Sequence, residues 1–151
     1  MVKKVKNLKY YESVGRRKEA VARCRMFLTS KDKVATIGDQ KVKAGEIIVN
    51  GQLITKYFPR LAEKTKYLIP LKVTNSEERF AISILVKGGG QSGQLTATIL
   101  SIARALEKVD KDANRKPLKD LGLLRRDPRV RERRKVGTGG KARRAKQSPK
   151  R

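Results

Sequence analysis

Two stretches of this chain combine residue types that do chemistry on anions. The first is Gly88-Gly89-Gly90-Gln91-Ser92-Gly93-Gln94. Its glycines remove side-chain bulk, so a phosphate can reach backbone N–H groups, and the helix that follows adds its positive N-terminal end. The second is Gly15-Arg16-Arg17-Lys18. Here three adjacent cations follow a glycine, a combination that allows close approach and several charge-assisted bonds to phosphate. The glycine stretch fits G-x-G-x-x-G through Gly88, Gly90 and Gly93. A dinucleotide site also needs an acidic residue about twenty positions on, at the end of a second parallel strand. Asp110 and Asp112 instead follow a helix, in what reads as a polar loop. A P-loop needs Gly-Lys-Ser/Thr after four spacers, and no lysine follows here. The favoured reading is a loop that grips a nucleic-acid backbone, ahead of a plain strand-to-helix turn and of a nucleotide site.

Other chemistries are poorly supplied. Histidine is absent, which removes His-dependent triads, the usual zinc sites and the commonest general acid–base. Cys24 is the only cysteine, so no intrachain disulfide forms and a reducing compartment is expected; its place in an apolar alternation makes it a small core residue. Glu77-Glu78 sit in a polar turn, while Asp127 and Glu132 lie among arginines that they are expected to order. No metal, cofactor or catalytic residue is expected.

These stretches need elements to position them. Ala20, Ala22, Cys24, Met26 and Leu28 alternate with Val21, Arg23, Arg25 and Phe27, the period of a half-buried strand, and Gly15–Lys18 precedes it. Val34 to Ile37 reads as a short strand ended by Gly38-Asp39. Ile47 to Val49 reads as another, closed by the turn pair Asn50-Gly51. Gln52–Phe58 and Leu61–Leu68 suggest short helices broken by Pro59, with Pro70–Val73 returning to extended structure. Phe80–Val86 is the clearest strand and is expected to be central, both faces being nearly apolar. Leu95, Ile99, Ile102 and Leu106 form one stripe of a helix from about Gln94 to Val109, with Ala103 letting it lie close to the sheet. Pro117 opens a short last helix through Leu121, Gly122 stops it, and Leu123 and Leu124 dock on the core. The sum is an α+β fold, with residues 1–124 (a basic lead and the body) as one domain.

The remainder, Arg125 to Arg151, is a tail of another kind. It holds thirteen Lys or Arg against Asp127 and Glu132, with Val130 and Val136 its only sizeable apolar residues. Such a segment buries too little apolar surface to offset the entropy of ordering it, unless a polyanion exchanges condensed counterions for its cations. The whole chain of 151 residues has 39 Lys plus Arg against 14 Asp plus Glu, a net charge of +25. Charged residues make up 35%, against roughly 25% in an ordinary domain. Residues 1–124 are basic on their own account, so the expected partner is a nucleic acid. No apolar run spans a membrane, no anchors suit an interfacial helix, and the N-terminus lacks the pattern of a secretory signal.

Several motifs together resemble the small-subunit ribosomal protein family conventionally numbered nine, in its bacterial form. They are G-R-R-K-E-A-V-A-R at 15–23, I-V-N-G at 48–51, Y-F-P at 57–59, V-K-G-G-G-Q-S-G-Q at 86–94, A-R-A-L at 103–106, R-D-P-R-V-R-E-R-R-K-V-G at 126–137 and K-A-R-R-A at 141–145. The resemblance implies a mixed sheet with helices on one face, similar to the second domain of ribosomal protein S-five, with a left-handed βαβ crossover. It implies a structural, non-enzymatic place in the head of the small ribosomal subunit, in the cytoplasm, among ribosomal RNA and neighbouring head proteins. On this reading Arg16, Arg17, Lys18, Gly88, Gly89, Gly90, Ser92 and Gly93 fix the body on ribosomal RNA. Arg125, Arg126, Arg129, Arg131, Arg133, Arg134, Lys135, Lys141, Arg143, Arg144 and Lys146 thread through it, and Lys150 and Arg151 meet transfer RNA in the peptidyl site. Where the family commonly ends Pro-Gln-Phe-Ser-Lys-Arg, this chain ends Lys146-Gln147-Ser148-Pro149-Lys150-Arg151. The aromatic ring is lost and the terminal Lys-Arg pair kept. Two rivals are a small phosphotransferase using the glycine loop and a free DNA-condensing protein.

Overall fold

The computed structural model describes residues 10–28, 35–37, 40–131 and 133. Strand β1 (Tyr10–Arg17) pairs antiparallel with β2 (Ala20–Leu28), which pairs antiparallel with β7 (Phe80–Lys87). On its other side β7 pairs parallel with β5 (Ile47–Val49), and β5 pairs antiparallel with β6 (Gln52–Leu53). The sheet order is therefore β1-β2-β7-β5-β6, with β7 in the centre as its alternation required. Strands β3 (Ala35–Ile37) and β4 (Gln40–Val42) form a separate two-stranded pair. The helices are α1 (Ile54–Tyr57), α2 (Leu61–Val73), α3 (Gln91–Val109) and α4 (Lys111–Asp120). This is a mixed sheet in an α+β fold.

Among the described residues, the main core lies between one face of the sheet and the four helices. Ala20, Ala22, Cys24 and Met26 of β2 and Phe80, Ile82, Ile84 and Val86 of β7 supply the sheet side, while Ile54, Tyr67, Leu71, Leu95, Ile102, Leu106 and Leu118 supply the helical side. Helices thus pack on one face. Burial pushes the Cys24 thiol up, with Glu12 adding to the effect, as befits a core residue without nucleophilic character. Leu28, read from its alternation as inward-facing, is exposed at the strand end; on the opposite face Phe27 is buried instead, with Val42 and Ala81, and the partly buried Ile48 packs against them.

Five elements differ from the local readings. Residues 10–17, where no periodicity was evident, form a strand, and β4, which none announced either, pairs with β3. Gln52 and Leu53 belong to a strand, because Asn50 (φ 48°) and Gly51 (φ 81°) make the tight turn that folds β6 back on β5. Helix α2 runs through Pro70 to Val73. Pro70 removes one ladder hydrogen bond, normally a cost of about 3 kcal/mol, but Tyr67, Pro70 and Leu71 are all buried, and their packing outweighs it. Helix α4 begins at Lys111, not near Pro117, because the Asp110 carboxylate accepts from the Ala113 N–H at 3.1 Å and caps it. The stop at Gly122 (φ 68°) and the docking of Leu123 and Leu124 are as expected.

Candidate nucleic-acid interface

The β1–β2 hairpin and the glycine loop meet. Arg17, Lys18 and Glu19 form one wall of an open groove of about 580 Å³, and Gly89, Gly90, Gln91, Ser92, Gly93 and Thr96 form the other. Lys18 has φ 51°, a left-handed conformation that costs a non-glycine residue about 1 kcal/mol, and its side chain is exposed. Gly88 and Gly89 are also left-handed (φ 73° and 64°). A Cβ on Gly88 would strike the Glu19 carbonyl oxygen, and one on Gly89 would come within 3.0 Å of the Ala20 backbone nitrogen. The loop therefore lies backbone-to-backbone against the hairpin, an approach that only glycine permits.

Helix α3 starts in this groove. Gly90 is its N-cap and contributes no side-chain bond, and the first intrahelical bond runs from Gln94 N–H to the Gly90 oxygen at 2.9 Å. The N–H groups of Gln91, Ser92 and Gly93 thus lack intrahelical acceptors, at the positive end of a helix of nineteen residues. Among the described residues, no side chain fills the space beside Gly90. Gln94 braces the loop: its amide donates to the Gly88 oxygen at 3.1 Å, and its carbonyl accepts from the Tyr57 hydroxyl at 3.0 Å. The sequence reading missed this role, although the Q-S-G-Q run placed Gln94 beside the glycines.

The four residues Gly15–Lys18 do not act as one cluster. Strand alternation sends Arg16, opposite Val21, to the outer face and Arg17, opposite Ala20, to the helix side. Gly15 is not a phosphate-approach residue at all. It is buried under α3, where a Cβ would collide with the Ala97 carbonyl oxygen and sit 2.6 Å from the Ser101 nitrogen. Around that contact Ser13 donates to the Ser101 oxygen at 2.6 Å. Arg104 donates to the Val14 oxygen at 3.0 Å and Lys108 to the Glu12 oxygen at 2.7 Å, so carbonyls of the edge strand are occupied.

Arg17 also looks inward. Its guanidinium donates to the Arg129 carbonyl oxygen at 2.6 Å and to the Asp127 carbonyl oxygen at 3.4 Å, and lies 3.0 Å from the Asp127 carboxylate. Asp127 accepts from the Arg129 backbone N–H at 2.9 Å and from its guanidinium at 2.8 Å. These hydrogen bonds from Arg129, with the charges of Arg129 and Arg17, hold the Asp127 carboxyl well below the usual range and raise Arg129. Asp127 orders arginines as expected. Arg125, Arg126, Arg129, Arg131 and Arg133 are exposed along this tail root. Glu132, Arg134, Lys135, Lys141, Arg143, Arg144, Lys146, Lys150 and Arg151 lie outside the described residues.

Other uses of the groove find little support. Asp110, the acid nearest the spacing a dinucleotide site would need, is committed to capping α4. Among the described residues no group of three or more potential metal ligands comes together, and no helix is long and apolar enough to cross a membrane. Phe27, Phe58, Phe80 and Tyr67 are buried, Tyr11 and Tyr57 are partly buried against the core, and the exposed Tyr10 packs on Phe27 and under Arg25. The rings offer no platform for stacked bases.

Known proteins resemble this chain over most of its length. Residues 15–151 match the family described as ribosomal protein S9/S16. Among the relatives, a "Small ribosomal subunit protein uS9" of Thermus thermophilus is 44% identical over 144 residues, covering 95% of this chain and 100% of the relative. The protein of the same name from Gemmatimonas aurantiaca is 42% identical over 129 residues, covering 85% of this chain and 88% of the relative. That of Bifidobacterium animalis subsp. lactis is 43% identical over 137 residues, covering 91% of this chain and 75% of the relative.

Proposed function

Given that the chain belongs to the ribosomal protein S9/S16 family, we propose that it binds small-subunit ribosomal RNA through the α3 groove and the basic tail. The coarser role follows from the family: a structural component of the small ribosomal subunit, and not an enzyme. The observation that carries the RNA reading is one convergence. An exposed Lys18 on a left-handed turn, a glycine loop and the unfilled N-terminus of a long helix share one groove, and no aromatic ring among the described residues lines it. Such a surface recognises phosphate and shape, and contacts of that type position a protein without reading sequence.

The body, residues 1–124, fixes the protein on RNA through Lys18, Arg16 and the loop Gly88–Gly93. The tail, 125–151, neutralises phosphates along its path. A fully extended tail spans up to roughly 90 Å at ~3.3 Å per residue, so distant partners are in reach. At its tip Lys150 and Arg151 contact transfer RNA in the peptidyl site, with Pro149 and no aromatic ring shaping the approach. The left-handed crossover expected of the family falls on the connection from β5 to β7 through α1 and α2.

Sedimentation with small subunits through a high-salt wash tests the placement. RNA affinity should fall with salt along a log–log line of ~0.7–0.9 per neutralised phosphate, and a flat response contradicts phosphate recognition. Removing Gln147 to Arg151 should leave assembly intact and weaken retention of peptidyl-site transfer RNA; unchanged retention removes the role given to the tip.

A further inference from the structure

Arg17 stands in the most basic part of the body yet faces its own chain. Its side chain is only 14% exposed, and it crosses 110 residues of sequence to reach Asp127. An arginine kept for external phosphate would hold its fork of donors in solvent. Here the fork is divided between one carboxylate and two backbone carbonyls, a geometry that the point charge of a lysine cannot reproduce. Asp127 completes the arrangement by gripping Arg129 through backbone and side chain together.

We propose that Arg17 and Asp127 form a clamp that fixes the direction in which the basic tail leaves the body, so that the α3 groove and the tail present one continuous track to a single RNA. Arg17 is then a positioning residue, not a phosphate ligand. The partner in this inference rests on the RNA-binding reading above, whereas the clamp is a property of the free protein. Its benefit is effective concentration: once the groove holds RNA, a tail whose root already points along the track meets the next phosphates without a search.

Charge alone and the clamp predict opposite signs. Asp127→Asn adds one unit of net positive charge, so a purely electrostatic tail binds RNA more tightly. Arg17→Lys preserves charge, so such a tail is unaffected. With the clamp, both substitutions weaken binding, by about fivefold each, and the double variant is no worse than either single because both break one device. Asp127→Glu keeps the carboxylate and retains most of the affinity.

The experiment uses the full chain. Nitrogen-15 relaxation of the Arg129 and Arg131 amides reports order at the tail root without RNA, and titration with a transcript of the small-subunit RNA head domain reports affinity. The clamp requires ordered amides in the wild type, loss of that order in Asp127→Asn and Arg17→Lys at an unchanged melting temperature, and weaker RNA binding in both. Unchanged amide order in the two variants overturns it. So does lost order with equal or tighter RNA binding. Absence of RNA binding by the wild-type protein overturns the RNA track and the reading beneath it, while the amide data still decide whether the clamp exists.

Discussion

Gly15 lies within the β1–β2 hairpin and Gly88 lies against its turn, and each lets backbone touch backbone, but to different ends. At Gly15 the contact faces inward: strand β1 and helix α3 approach until a methyl group would overlap the Ala97 carbonyl. At Gly88 the contact faces the solvent-exposed end of the sheet, where loop and Glu19 carbonyl meet beside a groove that stays open. The first glycine closes a core, and the second keeps a surface unfilled. Both sit in motifs with arginine or lysine close by, so a motif alone does not separate stability from binding. The neighbouring backbone does.

The sharpest way to break this contrast is Gly15→Ala. Helix and strand are both rigid here, tied by Ser13 to Ser101 and by Arg104 and Lys108 to carbonyls of β1. The added methyl has no space to enter, and overpacking a well-ordered interface costs about 3 kcal/mol. Urea denaturation should show that loss as a lowered midpoint with an unchanged slope. A protein of wild-type stability that has lost only RNA affinity would return Gly15 to the phosphate site.

Gly88→Ala should have a smaller effect, because the loop can shift where the helix cannot. A left-handed alanine costs about 1–2 kcal/mol, and displacement of the loop from Glu19 spreads the groove walls. We expect roughly a tenfold loss of RNA affinity, ~1.4 kcal/mol, alongside the modest loss of stability. Stability lost with RNA binding intact would make Gly88 a second Gly15.

How far residue order announces structure differs in the same way between regions. Strands β2 and β7 and helix α3 are legible because their apolar period meets one continuous core. Strand β1 is not, because its inward positions include Ser13 and Gly15, small residues demanded by the closeness of α3 and invisible to a hydrophobic pattern. The continuation of α2 through Pro70 depends on burial of Tyr67 and Leu71, a tertiary effect that overrides a local breaker. The cap at Asp110 was readable, since an aspartate followed by helix formers is a start signal. At the candidate interface, the glycine loop and Lys18 each carried a local signal, but their meeting in one groove depends on the fold, and Gln94 stood next to the loop. The pairing of Arg17 with Asp127 was not legible, because nothing local links residues 110 positions apart.

The least disruptive test of the contrast acts at Gly90, where the two meanings of glycine can be given opposite signs. Gly90 has φ −102° and ψ 170°, a conformation open to any residue, and a Cβ there meets nothing within 4 Å. Gly90→Asp would place a carboxylate at the N-cap of α3, beside the N–H groups of Gln91, Ser92 and Gly93 that have no intrahelical acceptor. Capping and the favourable helix dipole should stabilise the fold by roughly 0.5–1 kcal/mol. The same carboxylate occupies the position we propose for phosphate and would repel it, so RNA affinity should fall while the melting temperature rises. No loss of fold can produce that pair of changes. If the variant is more stable and binds RNA as before, the helix end is an unfilled cap and the phosphate contacts lie elsewhere on the hairpin.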